Sequence, residues 1–449
     1  MRAEVRARAL DAATIAVVAM VAAIELMLML QVLMDRAFAS SRARDDPARL
    51  GMVARPVMFA FLFAMSLPLG FLPLYAGRLL DPTLDGSWAA MLVGMPTVAE
   101  MGAGLITALL AGRFIDRSGW LRPAMWGMGL ALAGNFACAL ANDLWALTVA
   151  RGVTGLGYGL VWMALQGFVV KLGPPAYRGR NMTTLIAGLF AGHMTGAAVG
   201  GMLANQMGHR PVFLVGVVMV LVAAYALHSL LRPYRHVSQH TVAPKAHSVP
   251  NKGAYSRLGA LLRDRGYLAL MLGSIVPFSI AQVGLLSYAL PLYFDAQGAT
   301  TADVGRVIML YGFCVIYLGP LMGGATDRSR HWKLWISAGG VVGAVGLLTL
   351  HWAPGLVGVT AAVLLLAVAS CLAGAAQTPY MLAREAAQAY GAAGATGIMR
   401  GADKFGQMLG PLVVGGLFAA VGMSSALVWT GALYLAGTLL FLMMAPSDR

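Results

Sequence analysis

Three ionisable side chains stand where an apolar chain has least use for them. Glu100 is central in an apolar run at 88–111, Arg151 lies near the start of another at 144–170, and His193 sits inside a third at 182–207. In hydrocarbon each charged group costs about 2.5–3.5 kcal/mol or more unless it is paired or hydrated, so such residues mark paths for protons, ions or polar cargo. A carboxylate at mid-depth can trade a proton when desolvation favours its neutral form and a nearby arginine favours its charged form, and proton coupling requires both. Histidine ordinarily titrates near neutrality and could relay a proton or bind substrate. The alternative for each is a buried polar group satisfied by a neighbour. Gln166, Gln282, Gln377, Tyr288, and the pair Tyr158 and Trp162 are further candidates for lining a polar cavity. Arg400, Asp403 and Lys404 are spaced i,i+3 and i,i+4, close to one face of a helix. They could neutralise one another, form a gate at the cytoplasmic end, or contact an anionic substrate.

A second kind of charge lies between the apolar runs. The stretch from Gly112 to Arg122 reads as a short turn with Arg113, Asp116, Arg117 and Arg122, and it has a counterpart at Gly323 to Arg330 with Asp327 and Arg328. Glycine and aspartate keep the same offset in both copies. Leu72-Pro73-Leu74-Tyr75 is likewise repeated as Leu290-Pro291-Leu292-Tyr293. Two such repeats across one apolar chain indicate two related halves.

The elements that must position these residues follow from composition. Of 449 residues 59% are hydrophobic and 11% charged, against about 25% charged in ordinary globular domains. Apolar runs of about 20 residues recur, the length that crosses a bilayer core. The class is an all-α polytopic membrane protein. Twelve spans are expected at 56–77, 88–111, 123–141, 144–170, 182–207, 211–231, 267–293, 301–324, 334–352, 355–382, 394–421 and 424–445. A further apolar run, Ala12 to Met34 with Glu25 near its middle, is long enough to span and precedes them. The expected organisation is an extra N-terminal helix and basic linker (1–55), a six-helix bundle (56–231), a central loop (232–266) and a second bundle (267–449). The net charge of +14 does not indicate nucleic acid, because the basic residues fall between spans. Alternate loops are rich and poor in Lys and Arg, which places the rich loops and the C-terminus in the cytoplasm; Arg78 and Arg306 are exceptions. Cys138, Cys314 and Cys371 lie inside apolar runs without metal or disulfide spacing.

With these residues in place the chain resembles the major facilitator superfamily of transporters over about 56–445. Gly112 to Arg122 resembles that family's glycine–aspartate–basic motif between its second and third helices. Arg151-xxx-Gly155-x-Gly157 resembles its fourth-helix motif, and Gly192-xxx-Gly196-xxx-Gly200-Gly201 its fifth-helix glycine motif, echoed at Gly410-Pro411 and Gly415-Gly416. The resemblance implies two six-helix bundles around a central cavity and alternating access by rocking. It implies a cytoplasmic gate in which Asp116 meets the start of the eleventh helix, near Gly394 to Gly397, with Gly112, Arg117, Arg122, Asp327 and Arg328 around it. The glycine stripe is expected to serve helix packing. The family's antiporter version of that motif has Gly-Pro where this chain has Gly196-Ala197, which argues against drug–proton exchange.

No Gly-x4-Gly-Lys-Ser/Thr loop, nucleophile elbow or metal-ligand cluster occurs, so neither ATP-driven transport nor an enzyme is expected, and no cofactor. The sequence reads as a secondary transporter of a small molecule in a bacterial inner membrane, with efflux one open direction, and is expected to be a monomer surrounded by lipid and coupled to protons. A sensor that keeps the transporter fold, using the extra helix, is the alternative from another class. An uncoupled facilitator or lipid transporter is the other.

Overall fold

The computed structural model describes residues 2–38, 49–81, 86–172, 177–235, 254–329 and 331–446. Among the described residues thirteen helices are long and apolar enough to cross a membrane. They are α1 (Ala9–Val32), α2 (Leu50–Gly70), α3 (Met95–Gly112), α4 (Leu121–Leu140), α5 (Leu144–Val170), α6 (Arg180–Met207), α7 (His209–Leu231), α8 (Arg265–Ala296), α9 (Thr301–Thr326), α10 (Trp332–His351), α11 (Leu356–Leu382), α12 (Gly394–Val421) and α13 (Met423–Met444). Helix α1 is the extra one, so the eleventh span of the sequence reading is α12.

Several boundaries differ from expectation. Helix α2 begins at Leu50 and carries Pro56 inside it, where a linker was expected up to residue 55. Pro56 is the seventh residue of this helix, so the N–H that would bond to the Met52 carbonyl is missing there and the helix continues with that one bond unmade. The charged stretch after α3 is not a turn from Gly112 onward. The helix runs to Ser118, and the chain reverses at Gly119, whose φ of 76° suits glycine and whose N–H closes onto the Ile115 carbonyl at 3.0 Å. In the second copy the helix also continues, to Ser329. Charged residues at the water-exposed end of a helix look like a loop to hydropathy, yet nothing in them stops a helix.

Helices α2–α7 and α8–α13 form two bundles. The glycine stripe of α6 makes one of the closest approaches: a Cβ at Gly192, Gly196 or Gly200 would collide with the carbonyl oxygens of Phe59, Phe63 and Leu67 on α2. Backbones meet this closely in lipid because packing, not hydrophobicity, drives association. Gly201 faces the other way, onto Thr301 of α9, whose hydroxyl donates to the Gly201 carbonyl at 2.8 Å. The repeated Leu-Pro-Leu-Tyr pattern has a matching structural task in each half. The Tyr75 hydroxyl donates to the Ala141 carbonyl at 3.2 Å, and the Tyr293 hydroxyl accepts from the Gly355 N–H at 2.8 Å. Tyr75, on the short helix Leu72–Arg78 that follows α2, and Tyr293, at the end of α8, thus each tie that region to the loop between their bundle's third and fourth helices.

The bundles meet along α6 with α9 and along α3 with α12. Gly305 lies against Ala197 and Ala198, Gly312 against Met194, and Gly94 against Pro411. The Tyr288 hydroxyl donates across the seam to the Ala90 carbonyl. All these contacts lie toward the end opposite the basic loops. Toward the basic-loop end, Gly112, Gly323, Gly324 and Gly397 face open space.

Helix α1 packs against both bundles. Val21 clusters with Ala191 and Met194 of α6 and with Met309 of α9. Buried Glu25 accepts from Arg55 of α2 at 2.6 and 2.9 Å, and Asp11 pairs with Arg306 of α9. Arg306 also pairs with Asp303, which explains a basic residue in an otherwise poor loop: its charge is neutralised locally.

Candidate functional site

A cavity of about 220 Å³ lies between the bundles at mid-depth, lined by residues of both. From the first bundle come Ser66, Thr97, Glu100, Arg151, Tyr158 and His193. From the second come Gln282, Ser287, Tyr311, Lys404 and Gln407. The rest of the lining is apolar and includes Leu62, Met65, Met101, Leu189, Phe190 and Leu286.

Glu100 and Arg151 form an ion pair through Nη2, and both are buried. The fourth-helix glycines explain how. A Cβ at Gly155 would collide with the backbone of Glu100 itself. One turn after Arg151, this glycine therefore lets α5 press onto α3 at the level where the carboxylate projects. Gly157 does the same toward α4, lying 2.6 Å from Ala131 N and Gly127 O by the same measure. The Nε and Nη1 of Arg151 are buried without a hydrogen-bond partner. The Cys138 thiol beside the guanidinium is at most a weak acceptor.

His193 Nδ1 lies 2.9 Å from the Ser66 hydroxyl of α2. Gln282 Nε2 donates to the Tyr311 hydroxyl at 2.5 Å. Lys404 donates to Gln407 Oε1 at 2.8 Å, and its ammonium stands 5.0 Å from the centre of the Tyr158 ring, within cation–π range.

The structure thus brings together Glu100, Arg151, His193, Gln282 and Lys404, and leaves other candidates elsewhere. Gln166 is outside the cavity, about 60° around α5 from Arg151 and about 22 Å further along it. The Arg400–Asp403–Lys404 group divides. Arg400 is exposed, while Asp403 accepts from Ser279 of α8 at 2.6 Å and from Gln407 at 3.2 Å. Trp162 is not in the lining, Tyr288 is used in the seam, and Gln377 donates to Ser274 at 3.2 Å. Of the gate residues, Gly112, Arg117, Arg122 and Arg328 are exposed at the basic-loop end. The side chains of Asp116 and Asp327 lie outside the described residues. Ser66, Tyr311 and Gln407 were missed. Gln407 had a signal, being i+3 from Lys404 and i+4 from Asp403.

A two-bundle helical membrane protein with a polar cavity on its pseudo-symmetry seam has the architecture of a secondary transporter. The sequence profile of the Major Facilitator Superfamily matches residues 56–395, and the chain belongs to that family. An uncharacterized MFS-type transporter of Yersinia pseudotuberculosis serotype O:3 (strain YPIII) is 26% identical over 53% of this chain and 57% of that one. The chain thus spans little more than half of that relative. The multidrug resistance protein Stp of Mycobacterium tuberculosis is 27% identical over 76% of this chain and 71% of its own. Among solved structures, a D-xylose–proton symporter superposes with a TM-score of 0.68 at 16% identity, covering 89% of this chain and 98% of that one. That likeness concerns the fold alone.

Proposed function

We propose that this protein carries a small molecule across a bacterial cytoplasmic membrane by alternating access, using the proton gradient. The observation that carries the reading is the buried Glu100–Arg151 pair on a cavity shared by both bundles. With Glu100 ionised, the pair is neutral and holds α3 to α5. When Glu100 takes a proton, Arg151 loses its counter-charge and seeks another. Proton binding therefore changes what the cavity attracts, which is the requirement for coupling. The basic loops are cytoplasmic by the positive-inside rule, so the seam contacts at the opposite end correspond to a state open toward the cytoplasm. Separating α6 from α9 and α3 from α12 there, while Gly112 of α3 closes on the Gly394–Gly397 turn of α12, would give the opposite state. In that state Asp116 at a helix N-terminus would be favoured by about 0.3–1 kcal/mol.

Infrared difference spectroscopy of the purified protein between alkaline and acid pH tests the proton site without a known substrate. A protonated-carboxyl band is expected at acid pH and is expected to be missing in Glu100→Gln. Identical spectra for the two proteins would remove Glu100 as the proton carrier.

One observation favours a second reading. Helix α1 is tied to the first bundle by Glu25–Arg55 and to the second by Asp11–Arg306. An element bound to both bodies across their seam is placed to bias their rocking, as a regulatory helix would be.

A further inference from the structure

The cavity holds more positive than negative charge. Among the described residues its one lining carboxylate is Glu100, which is paired with Arg151, and Lys404 lines the same cavity. Among the described residues no carboxylate stands within ion-pair distance of Lys404; its partners are Gln407 and the Tyr158 ring. Asp403, its chain neighbour, is turned to Ser279 and Gln407. Arg151 is 2% exposed, and two of its nitrogens have no acceptor. The Nη2 of Arg151 is held by Glu100, so protonation of Glu100 leaves a guanidinium with no counter-charge, and an anion arriving in the cavity supplies one. The remaining wall is apolar, with Leu62, Met65, Phe190 and Leu286.

Building on the proton-coupled reading above, we infer that the cargo is a small organic anion with an apolar body. Its anionic group bridges Lys404 and Arg151, and it binds together with the proton on Glu100. Arg151 is paired with Glu100 and Cys138 on α4 lies beside the pair; the other titratable and charged groups that share its cavity are Tyr158 on α5, His193 on α6, Tyr311 on α9 and Lys404 on α12. While Glu100 is ionised it occupies Arg151 and repels an anion. Once protonated it does neither, so proton and anion enter the cavity as partners and cross in the same direction. A cationic cargo would instead compete with the proton for Glu100 and meet both Arg151 and Lys404.

Three probes with one aromatic ring and different permanent charge separate these cases: p-toluenesulfonate, benzyltrimethylammonium and benzyl alcohol. Their binding to the full chain in lipid nanodiscs is measured by calorimetry at about pH 5 and about pH 8. The sulfonate is expected to bind best, and on the order of tenfold more tightly at the acid pH. Lys404→Gln is expected to weaken it about tenfold with the melting temperature little changed, and Lys404→Arg to restore it. Binding of the cation or the alcohol as tightly as the sulfonate overturns the inference, as does a sulfonate that fails to bind at millimolar concentration or is indifferent to Lys404→Gln. Sulfonate selectivity that does not change with pH leaves the cargo class standing and overturns the proton-coupled reading on which it was built.

Discussion

Glu100→Gln is expected to destabilise the protein more than Arg151→Gln, although each removes one half of the same ion pair. Breaking a buried pair by deleting one partner costs about 3–5 kcal/mol, because the other charge is left without compensation. The two survivors differ in what they can do next. A carboxylate left alone can take up a proton and become a neutral hydrogen-bonding group. A guanidinium cannot shed its charge, and Arg151 is already buried with two nitrogens unpaired. Thermal unfolding in detergent is expected to show the larger loss for Glu100→Gln, at about 3 kcal/mol, and a smaller loss for Arg151→Gln that shrinks as pH falls. Both variants are expected to lose proton-driven transport. Glu100→Leu combined with Arg151→Met is expected to recover stability without recovering transport, since shape is kept and charge is removed. Equal losses for the two single variants, independent of pH, would show that the pair is a structural clamp that never exchanges a proton.

The second large effect belongs to the stripe on α6. Gly196→Leu and Gly200→Leu place side-chain atoms where the carbonyls of Phe63 and Leu67 already stand. Overpacking a core ordinarily costs about 1–3 kcal/mol, because side chains can shift. Here the obstacle is helix backbone on both sides, so relief requires moving α2 as a body. Either substitution is expected to abolish the folded protein, read as loss of a monodisperse peak in size-exclusion chromatography. Gly112→Leu and Gly416→Leu meet nothing within 4 Å and are expected to fold normally. Normal folding of Gly200→Leu would mean that α2 and α6 do not meet as described.

How much of this was legible depends on the physics behind each feature. The twelve spans and the extra helix were legible because a bilayer imposes length and hydropathy on every crossing segment. Glu100 and Arg151 were legible as a pair because intramembrane charge is costly enough to be rare. What Gly155 contributes to their contact was not legible, because it shows only once α3 lies against that glycine. Gln166 was misjudged chiefly on depth: helical periodicity says roughly which way a residue points, but not whether the cavity extends to its level. Arg400 shows a related limit: one turn from Lys404 on α12, it is exposed and not part of the cavity lining. The partners Ser66 of His193 and Tyr311 of Gln282 gave no signal. A single hydroxyl in an apolar helix is compatible with many roles, and only the packing of two distant segments selects one. The ends of α3 and α9 were read as turns because charge at the water interface suppresses hydropathy without stopping a helix.

The central claim is that both bundles expose one cavity alternately to the two sides of the membrane, under control of a proton on Glu100. It is tested without knowing the cargo by placing a cysteine at Gln282 in a chain with Cys138, Cys314 and Cys371 replaced by alanine. A membrane-impermeant thiol reagent is then applied to right-side-out and inside-out vesicles at alkaline and acid pH. The account predicts labelling from both sides, a sidedness ratio that changes with pH, and loss of that pH response in Glu100→Gln. Labelling from one side only, under every condition, would contradict it.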